Sequence, residues 1–214
     1  MASASPPVAC GPEIRFQLAS VSKAFTAAAI LLLVDGGKLS VADPLSRYLD
    51  RCPVSWNQIT IHHLLCHTAG LPHWRDLPAI ALTEFMSPED ELNIFRESPL
   101  RSAPGSAWYY SSPGYVLLAH VVQSVADKPY REFLEQRIIQ PLQLNETFAG
   151  NAGERPRLAV GHLEGNEVPS FELDTVGMGA GDVWSTVGDL VRWDDMLFDT
   201  NFLTDASRHA MVQV

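Results

Sequence analysis

The stretch "FQLASVSKAFTAAAILLLVDGG", residues 16–37, decides how the first part of the chain folds. From Ala24 onward it is almost continuously apolar, yet it is well short of the ~20 residues that cross a bilayer, so it predicts a buried helix. Paired glycines favour the left-handed conformation that ends helices. We therefore expect a helix that begins near Ser20 and stops at Gly36 and Gly37.

The composition indicates one compact globular domain, or one domain with a lobe. The chain has 214 residues, of which 46% are hydrophobic, enough for a substantial core. The formal net charge of -10 argues against a phosphate-binding surface, so nucleic acid is not an expected partner.

The chain as written starts without the basic and apolar regions of a signal peptide and contains no predicted membrane span, so as written it would be cytoplasmic, and its compartment is unknown. Its cysteines, Cys10, Cys52 and Cys66, are odd in number and scattered. This pattern favours reduced thiols over a disulfide framework, although one pair could form.

Helical signals dominate the rest of the chain. After a short helical segment within residues 38–50, they predict helices from Thr60, over residues 88–95 behind Ser87 as N-cap, over 113–126, up to residue 139, and over 187–197 behind Thr186 as N-cap. Strand signals are confined to residues 14–19, 157–165 and 176–185, with polar loops and short strands over 151–175. No large sheet is predicted.

Ser20 and Lys23 lie three residues apart, a spacing that places both side chains on one helix face. A serine hydroxyl needs a base to become nucleophilic, and a buried lysine with a lowered pKa can serve as that base. At a helix N-terminus the positive end of the dipole would also favour an oxyanion at Ser20. The alternative is a serine N-cap followed by a solvated lysine.

Tyr110 precedes a second apolar helix, in "WYYSSPGYVLLAHVV". A phenol held near Lys23 could pass a proton between the serine and a leaving group. Tyrosine is also a common packing residue, so Tyr110 alone does not decide the chemistry.

Together these segments resemble the serine beta-lactamase and penicillin-binding-protein superfamily, specifically its class C beta-lactamase-like branch of D-Ala-D-Ala carboxypeptidases, D-aminopeptidases and esterases. The blocks that carry the resemblance follow the family order: residues 16–50, the "HTAGLP" of residues 67–72, the "YYSS" of residues 109–112, and "GAGDVWST" from residue 179. The resemblance implies an α+β fold of the beta-lactamase/transpeptidase type. It also implies that Ser20 is acylated, that Lys23 is its partner, and that Tyr110 acts as the proton relay.

Two departures from the family pattern concern substrate binding. Ser112 stands where the family commonly has asparagine, and Asp182 replaces the second glycine of a Gly-Gly pair, leaving Gly181 as the first. Trp184 follows this glycine-rich stretch and could line a pocket. We predict Ser112, Gly181 and Trp184 as substrate-binding residues.

The resemblance also implies that this chain has a largely present helical lobe and an incomplete sheet lobe. No Lys-Thr-Gly or His-x-Gly motif follows, and few residues precede the nucleophile helix. We expect residues 1–11 to be disordered or tag-like and residues 12–214 to form a partial serine hydrolase domain, truncated at both ends. The residue 24–34 helix would then be partly uncovered, which predicts self-association through an apolar face.

The expected activity is hydrolysis through an acyl-enzyme on an amide or ester carbonyl: a beta-lactam, a D-Ala peptide or a small ester. The missing motif would supply a group that binds the substrate carboxylate and an oxyanion donor. Its absence therefore favours hydrolysis of small esters over efficient beta-lactam turnover. The alternative is a catalytically weak or inactive homologue that acts as an interaction module.

We predict no cofactor and no metal. His63 and His67 have the i, i+4 spacing of a zinc pair beside His62 and Cys66, but the family block explains this cluster as a structural turn. The acidic residues of the residue 88–95 helix, Glu89, Asp90 and Glu91, are expected on a solvated face. Trp108 is expected in packing.

Overall fold

The structure is a computed structural model that describes residues 3–4, 7–80, 86–153, 155–164, 166–168, 177–196 and 201–212. In these ranges the helices are α1 (Ser22–Asp35), α2 (Ile61–Leu65), α3 (Pro88–Glu97), α4 (Ser112–Ala126), α5 (Tyr130–Leu134), α6 (Val187–Asp195) and α7 (Asp205–Val212). A π-helical stretch, Glu135–Ile139, continues α5. Single 3₁₀ turns lie at Ala19–Val21, Leu45–Arg47, Val54–Trp56 and Trp74–Asp76.

The strands are short, as the sequence predicts. They are β1 (Ser3–Ala4), β2 (Pro7–Val8), β3 (Phe16–Gln17), β4 (Phe148–Ala149), β5 (Gly161–Leu163), β6 (Asn166–Val168) and β7 (Val183–Ser185). An antiparallel three-stranded sheet has the order β3-β7-β4, and β1-β2 and β5-β6 are separate two-stranded pairs. The α+β class is thus confirmed, with a helical part that is far larger than the sheet.

The predicted helix ends follow from local capping. Gly37, the second residue after α1, adopts a positive φ of 64°, and the Lys38 amide closes the turn on the Leu33 carbonyl. Ser87 accepts a hydrogen bond from the Asp90 amide at the start of α3. At α6, Thr186 accepts one from the Asp189 amide.

Several element boundaries differ from the sequence predictions. Residues 19–21 form a 3₁₀ turn, and the α-helix starts two residues after Ser20. Helix α7 was not predicted, and the predicted helix up to residue 139 is partly π-helical. The predicted end of α6 at Leu197, and the parts of the 151–175 loop region at residues 154, 165 and 169–175, lie outside the described residues. The division of the chain at residues 11 and 12 stays a prediction.

Helix α1 is covered, so the predicted exposed apolar face is wrong. Ala28, Ala29 and Ile30 are fully buried, because α4, α5 and α7 pack around α1. From α6, Trp193 stacks on Phe25 with ring centroids 3.9 Å apart. The helical layer therefore closes its own core, and the basis for self-association through α1 is removed.

No helix in the described ranges combines the length and apolarity that crossing a bilayer would require.

Candidate active site

Ser20 lies exposed in the 3₁₀ turn between β3 and α1. The turn is attached to the sheet because the Leu18 amide donates to the Val183 carbonyl of β7 at 2.8 Å. Ala19 has a φ of 46°, a left-handed conformation that is unfavourable for a residue with a Cβ atom and is often found at functional sites. The N-cap of α1 is Val21, so the alternative in which Ser20 caps the helix is wrong.

Lys23 is buried, with 6% of its surface exposed, so the alternative of a solvated lysine is also wrong. Its Nζ donates to Ser20 Oγ at 3.2 Å and to the Ala180 carbonyl at 2.8 Å. Burial lowers the pKa of Lys23, and a hydrogen bond with Tyr110 opposes this effect only in part. The neutral amine, which can accept a proton, is therefore more populated at a given pH than in a free lysine.

Tyr110 comes to the same point from the segment before α4. Its hydroxyl donates to Ser20 Oγ at 2.7 Å, and Lys23 Nζ lies 5.0 Å from the centre of its ring. Burial alone raises the pKa of Tyr110, but hydrogen bonds with Lys23 and Ser20 and the charge of Lys23 outweigh it, so the pKa is lowered. The structure thus brings together the three residues predicted as catalytic.

The loop before β7 supplies the carbonyl that holds Lys23. Gly179 has a φ of 75°, and a Cβ atom there would lie 2.7 Å from the Ala119 side chain, so the loop requires glycine at this position. The Gly179 carbonyl accepts from Thr26 Oγ1 at 2.6 Å, which joins the loop to α1.

Asp182, one of the departures from the family pattern, is fully buried behind this loop. Its Oδ1 accepts from the Gly179 amide at 2.9 Å and its Oδ2 from Arg131 Nε at 3.4 Å. Burial raises the pKa of Asp182, although the Arg131 charge and the Gly179 amide favour the carboxylate. Sequence reasoning missed this structural role.

Of the predicted substrate-binding residues, Ser112 and Gly181 lie next to the catalytic groups. Ser112 begins α4, is 1% exposed, and lowers the pKa of Tyr110 through hydrogen bonding. Gly181 faces the backbone of Ala19, but its amide already donates to the Gly177 carbonyl and its carbonyl accepts from Gln17. Their contact with substrate stays a prediction.

Trp184 does not line the site. Its side chain is 2% exposed and stacks on Phe148 in a small separate core with Ala152. Alternation along β7 explains the error, because neighbouring residues in a strand face opposite sides and Val183 belongs to the main core. Trp184 is thus a packing residue, whereas Trp108, expected in packing, is 66% exposed and edge-on to His67.

The histidines of the "HTAGLP" region accept hydrogen bonds from the backbone. His63 Nδ1 accepts from the Thr60 amide at 3.3 Å in a capping box of α2, and His67 Nδ1 accepts from the Ser111 amide at 3.2 Å. In the described ranges no three His, Cys, Asp or Glu side chains are grouped in a way that could hold a metal ion. His67 and His73 both lie against the Tyr110 ring. The sequence predicted the "HTAGLP" segment only as a structural turn and gave no sign of this contact.

Comparison with known proteins agrees with this geometry. Residues 1–214 match the family model described as Beta-lactamase. The chain is 32% identical to penicillin-binding protein 4* of Bacillus subtilis, over 91% of this chain and 47% of that protein. It is 29% identical to the D-alanyl-D-alanine-carboxypeptidase/endopeptidase AmpH of Escherichia coli, over 87% of this chain and 49% of that protein.

A solved structure shows the same fold. The penicillin-binding protein from Bacillus halodurans superimposes with a TM-score of 0.85 at 29% identity, over 97% of this chain and 66% of that one. The chain spans about half the length of the curated relatives it matches. On the family match over its whole length and on this likeness, the chain belongs to the beta-lactamase family.

Proposed function

We propose that this chain carries the nucleophile, base and proton relay of a serine hydrolase that forms an acyl-enzyme on amide or ester carbonyls. One observation carries the proposal: an exposed Ser20 Oγ accepts hydrogen bonds from both Lys23 and Tyr110, and burial lowers the pKa of that lysine. A nucleophile with a tuned base within hydrogen-bond reach is the arrangement that covalent catalysis requires.

In the proposed reaction, neutral Lys23 accepts the proton of Ser20 as Oγ attacks the carbonyl carbon. The Ser20 amide, at the mouth of α1, stabilises the oxyanion. The bond to the leaving nitrogen or oxygen then breaks, Tyr110 delivers the proton that this atom needs, and protonated Lys23 returns a proton to the Tyr110 oxygen through their hydrogen bond. Water attacks the ester on Ser20 in the second half of the reaction, which releases the acid and restores the serine.

The substrate class is a beta-lactam, a D-Ala peptide or a small ester. The first two follow the names of the similar proteins, a penicillin-binding protein and a D-alanyl-D-alanine carboxypeptidase/endopeptidase. All three substrates present an acyl carbon to a serine nucleophile, so the same residues serve for each.

Covalent labelling tests the proposal. The chain is incubated with a fluorescent penicillin and, separately, with a fluorophosphonate, and intact-mass and peptide mass spectrometry locate the adduct. We expect an adduct on Ser20 with at least one probe. Ser20→Ala should abolish it, whereas Ser46→Ala, which alters another exposed serine, should label like the wild type.

Two outcomes would reject the proposed function. One is a folded wild-type chain with no adduct from either probe, and the other is an adduct that persists in Ser20→Ala. A penicillin adduct that forms on Ser20 and is not hydrolysed would support the acylation step and would show that deacylation of this chain is slow.

A further inference from the structure

Two histidines hold the backbone on both sides of Tyr110. The amide of Tyr109 donates to the His67 carbonyl at 2.9 Å, and the amide of Ser111 donates to His67 Nδ1 at 3.2 Å. The next amide, that of Ser112, donates to His73 Nδ1 at 3.3 Å. Three backbone amides around the predicted proton relay thus depend on these two residues.

The backbone conformation of His67 is what allows it to hold two of these amides. Its φ is 58°, in the left-handed region that residues with a side chain seldom occupy. Its carbonyl and its imidazole both hydrogen-bond to residues 109–111. An unfavourable backbone conformation next to a catalytic group is a sign of a functional constraint.

Both imidazole rings also contact the phenol itself. The ring centre of His67 lies 4.5 Å from that of Tyr110 and 5.2 Å from that of Tyr115 in α4. The ring of His73 lies 5.3 Å from that of Tyr110, at a steep angle. The phenol is therefore constrained through its backbone and through its ring.

These contacts require neutral imidazoles. A ring nitrogen that accepts from an amide carries no proton, so both histidines must have their proton on Nε2. A second proton would place an N–H group against each amide and would add positive charge near Lys23. Protonation of either ring would thus break a bond that orients Tyr110.

The groups that surround the two rings favour the neutral form. Four groups surround the His67 ring. Lys23 belongs to α1 and His73 to the turn that follows the "HTAGLP" segment, and Tyr110 and Tyr115 lie just before and within α4. Burial, followed by the charges of Lys23 and His73, lowers the pKa of His67 to about 4.

His73 has a similar electrostatic environment. Burial lowers its pKa, and the charges of Arg75 and Lys23 act in the same direction, whereas Asp76 opposes them. Asp76 also accepts from the His73 amide at 2.9 Å and from the Tyr109 hydroxyl at 2.8 Å, so it fixes both residues.

We propose that His67 and His73 are positioning residues for acyl transfer: as neutral imidazoles they fix residues 109–112, so that the Tyr110 hydroxyl stays on Ser20 Oγ. This inference rests on the proposed function. Neither histidine is within the distance of a hydrogen bond to Ser20 in the described contacts, so both act through Tyr110.

Paired substitutions separate two properties of each histidine, its hydrogen-bond acceptor and its ability to take up a proton. In His67→Asn the amide oxygen can replace Nδ1 as acceptor, and asparagine tolerates the left-handed conformation. His67→Leu replaces the imidazole by an apolar side chain of similar length, which removes the acceptor. We expect acylation of Ser20 by the fluorescent penicillin, whose ring nitrogen needs a proton as it leaves, to slow by ~10²-fold in His67→Leu, the order of magnitude for a catalytic group displaced by about 1 Å, and to change by less than about 3-fold in His67→Asn.

Variants of two other histidines complete the set, one pair as a second test and one variant as a control. The His73→Leu and His73→Asn pair should change the labelling rate in the same direction as the His67 pair. His62→Leu, a change at an exposed histidine of α2, should label like the wild type. Circular dichroism verifies that each variant is folded before its labelling rate is compared.

The pH profile and the tautomer give readouts that a merely structural role would not move. As the pH falls, protonation of Lys23 should slow labelling about tenfold per pH unit, and protonation of His67 should make the fall steeper near pH 4. In the His67→Asn, His73→Asn double variant this extra steepness should disappear. Long-range ¹⁵N NMR of the wild type at pH 7 should show both rings neutral with the proton on Nε2.

The outcomes of the two proposals are distinguishable. A wild-type chain that forms no adduct on Ser20 rejects the proposed function, whatever the variants do. If the wild type labels but folded His67→Leu and His73→Leu label at its rate, or if NMR finds the proton on Nδ1, the positioning inference is overturned and the proposed function stands. Should the leucine variants not fold, the asparagine double variant decides, since an unchanged steep acid limb would contradict the inference.

Discussion

Glu91 is the residue whose replacement should change the stability of this chain most instructively. The sequence predicts it on the solvated face of α3, but its exposure is 0%, so that expectation is wrong. Neither carboxylate oxygen has a hydrogen-bond partner among the described residues. Burial raises the pKa of Glu91 to about 8, so the folded chain holds a proton that the unfolded chain releases.

The size of the effect follows from proton linkage. With a pKa of about 8 in the folded chain and 4.5 for the unconstrained carboxyl, Glu91 lowers the free energy of unfolding by about 4 kcal/mol at pH 8 and by less than ~1 kcal/mol at pH 5. The sign is fixed because the folded state binds more protons than the unfolded state between these two pKa values. Stability is thus lost as the pH rises through this window.

Urea unfolding of the wild type and Glu91→Gln from pH 5 to pH 8 measures this loss. Glutamine cannot ionise, so we expect the variant to gain ~3 kcal/mol relative to the wild type between pH 5 and pH 8. Glu97→Gln is the matched control, since Glu97 is an exposed carboxylate on the same helix and should follow the wild type at every pH. A difference between Glu91→Gln and the wild type that stays constant across the range would refute the reasoning.

Three further substitutions test the active site and its attachment to the sheet. Tyr110→Phe removes the hydroxyl bonded to Ser20 and should slow acylation by ~10²–10⁴-fold with little change in KM, measured by hydrolysis of an amide, whose leaving nitrogen needs the proton. Lys23→Arg keeps the positive charge but cannot release a proton at ordinary pH, so fluorophosphonate labelling should fall by more than ~10²-fold; near wild-type labelling would exclude Lys23 as the base. Ser22→Ala removes the acceptor of the buried Val183 amide, 3.0 Å from Ser22 Oγ, and should lower the free energy of unfolding by about 1–3 kcal/mol in urea.

Features with local causes could be predicted from the sequence. A capping serine starts α3, a pair of glycines ends α1, and Ser20 and Lys23 meet because they are one helical turn apart. Each of these depends on residues within four positions of one another. Short-range patterns of this kind determine helix ends and same-face pairs directly.

Features that depend on distant packing could not be predicted in this way. Glu91 lies on a helix with an acidic first turn, which is typical of a solvated face, and only the core packed around it makes it buried. Trp184 follows a glycine-rich stretch, but the alternation of β7 turns its ring onto Phe148. Burial of these two side chains is decided by elements far away in the chain, so no local pattern could indicate it.

The active site combines both kinds of information. Its predicted nucleophile and base, Ser20 and Lys23, are close in sequence, whereas Tyr110 is 90 residues from Ser20 and was assigned through the resemblance to a family. The same resemblance classed "HTAGLP" as a turn, and the geometry gives that turn a chemical reason: the left-handed His67 places a carbonyl and a ring nitrogen on the amides that flank Tyr110. A motif that a sequence comparison treats as structural can therefore influence catalysis. In the proposed arrangement it sets the position of the Tyr110 hydroxyl and requires that the neighbouring imidazole rings be neutral.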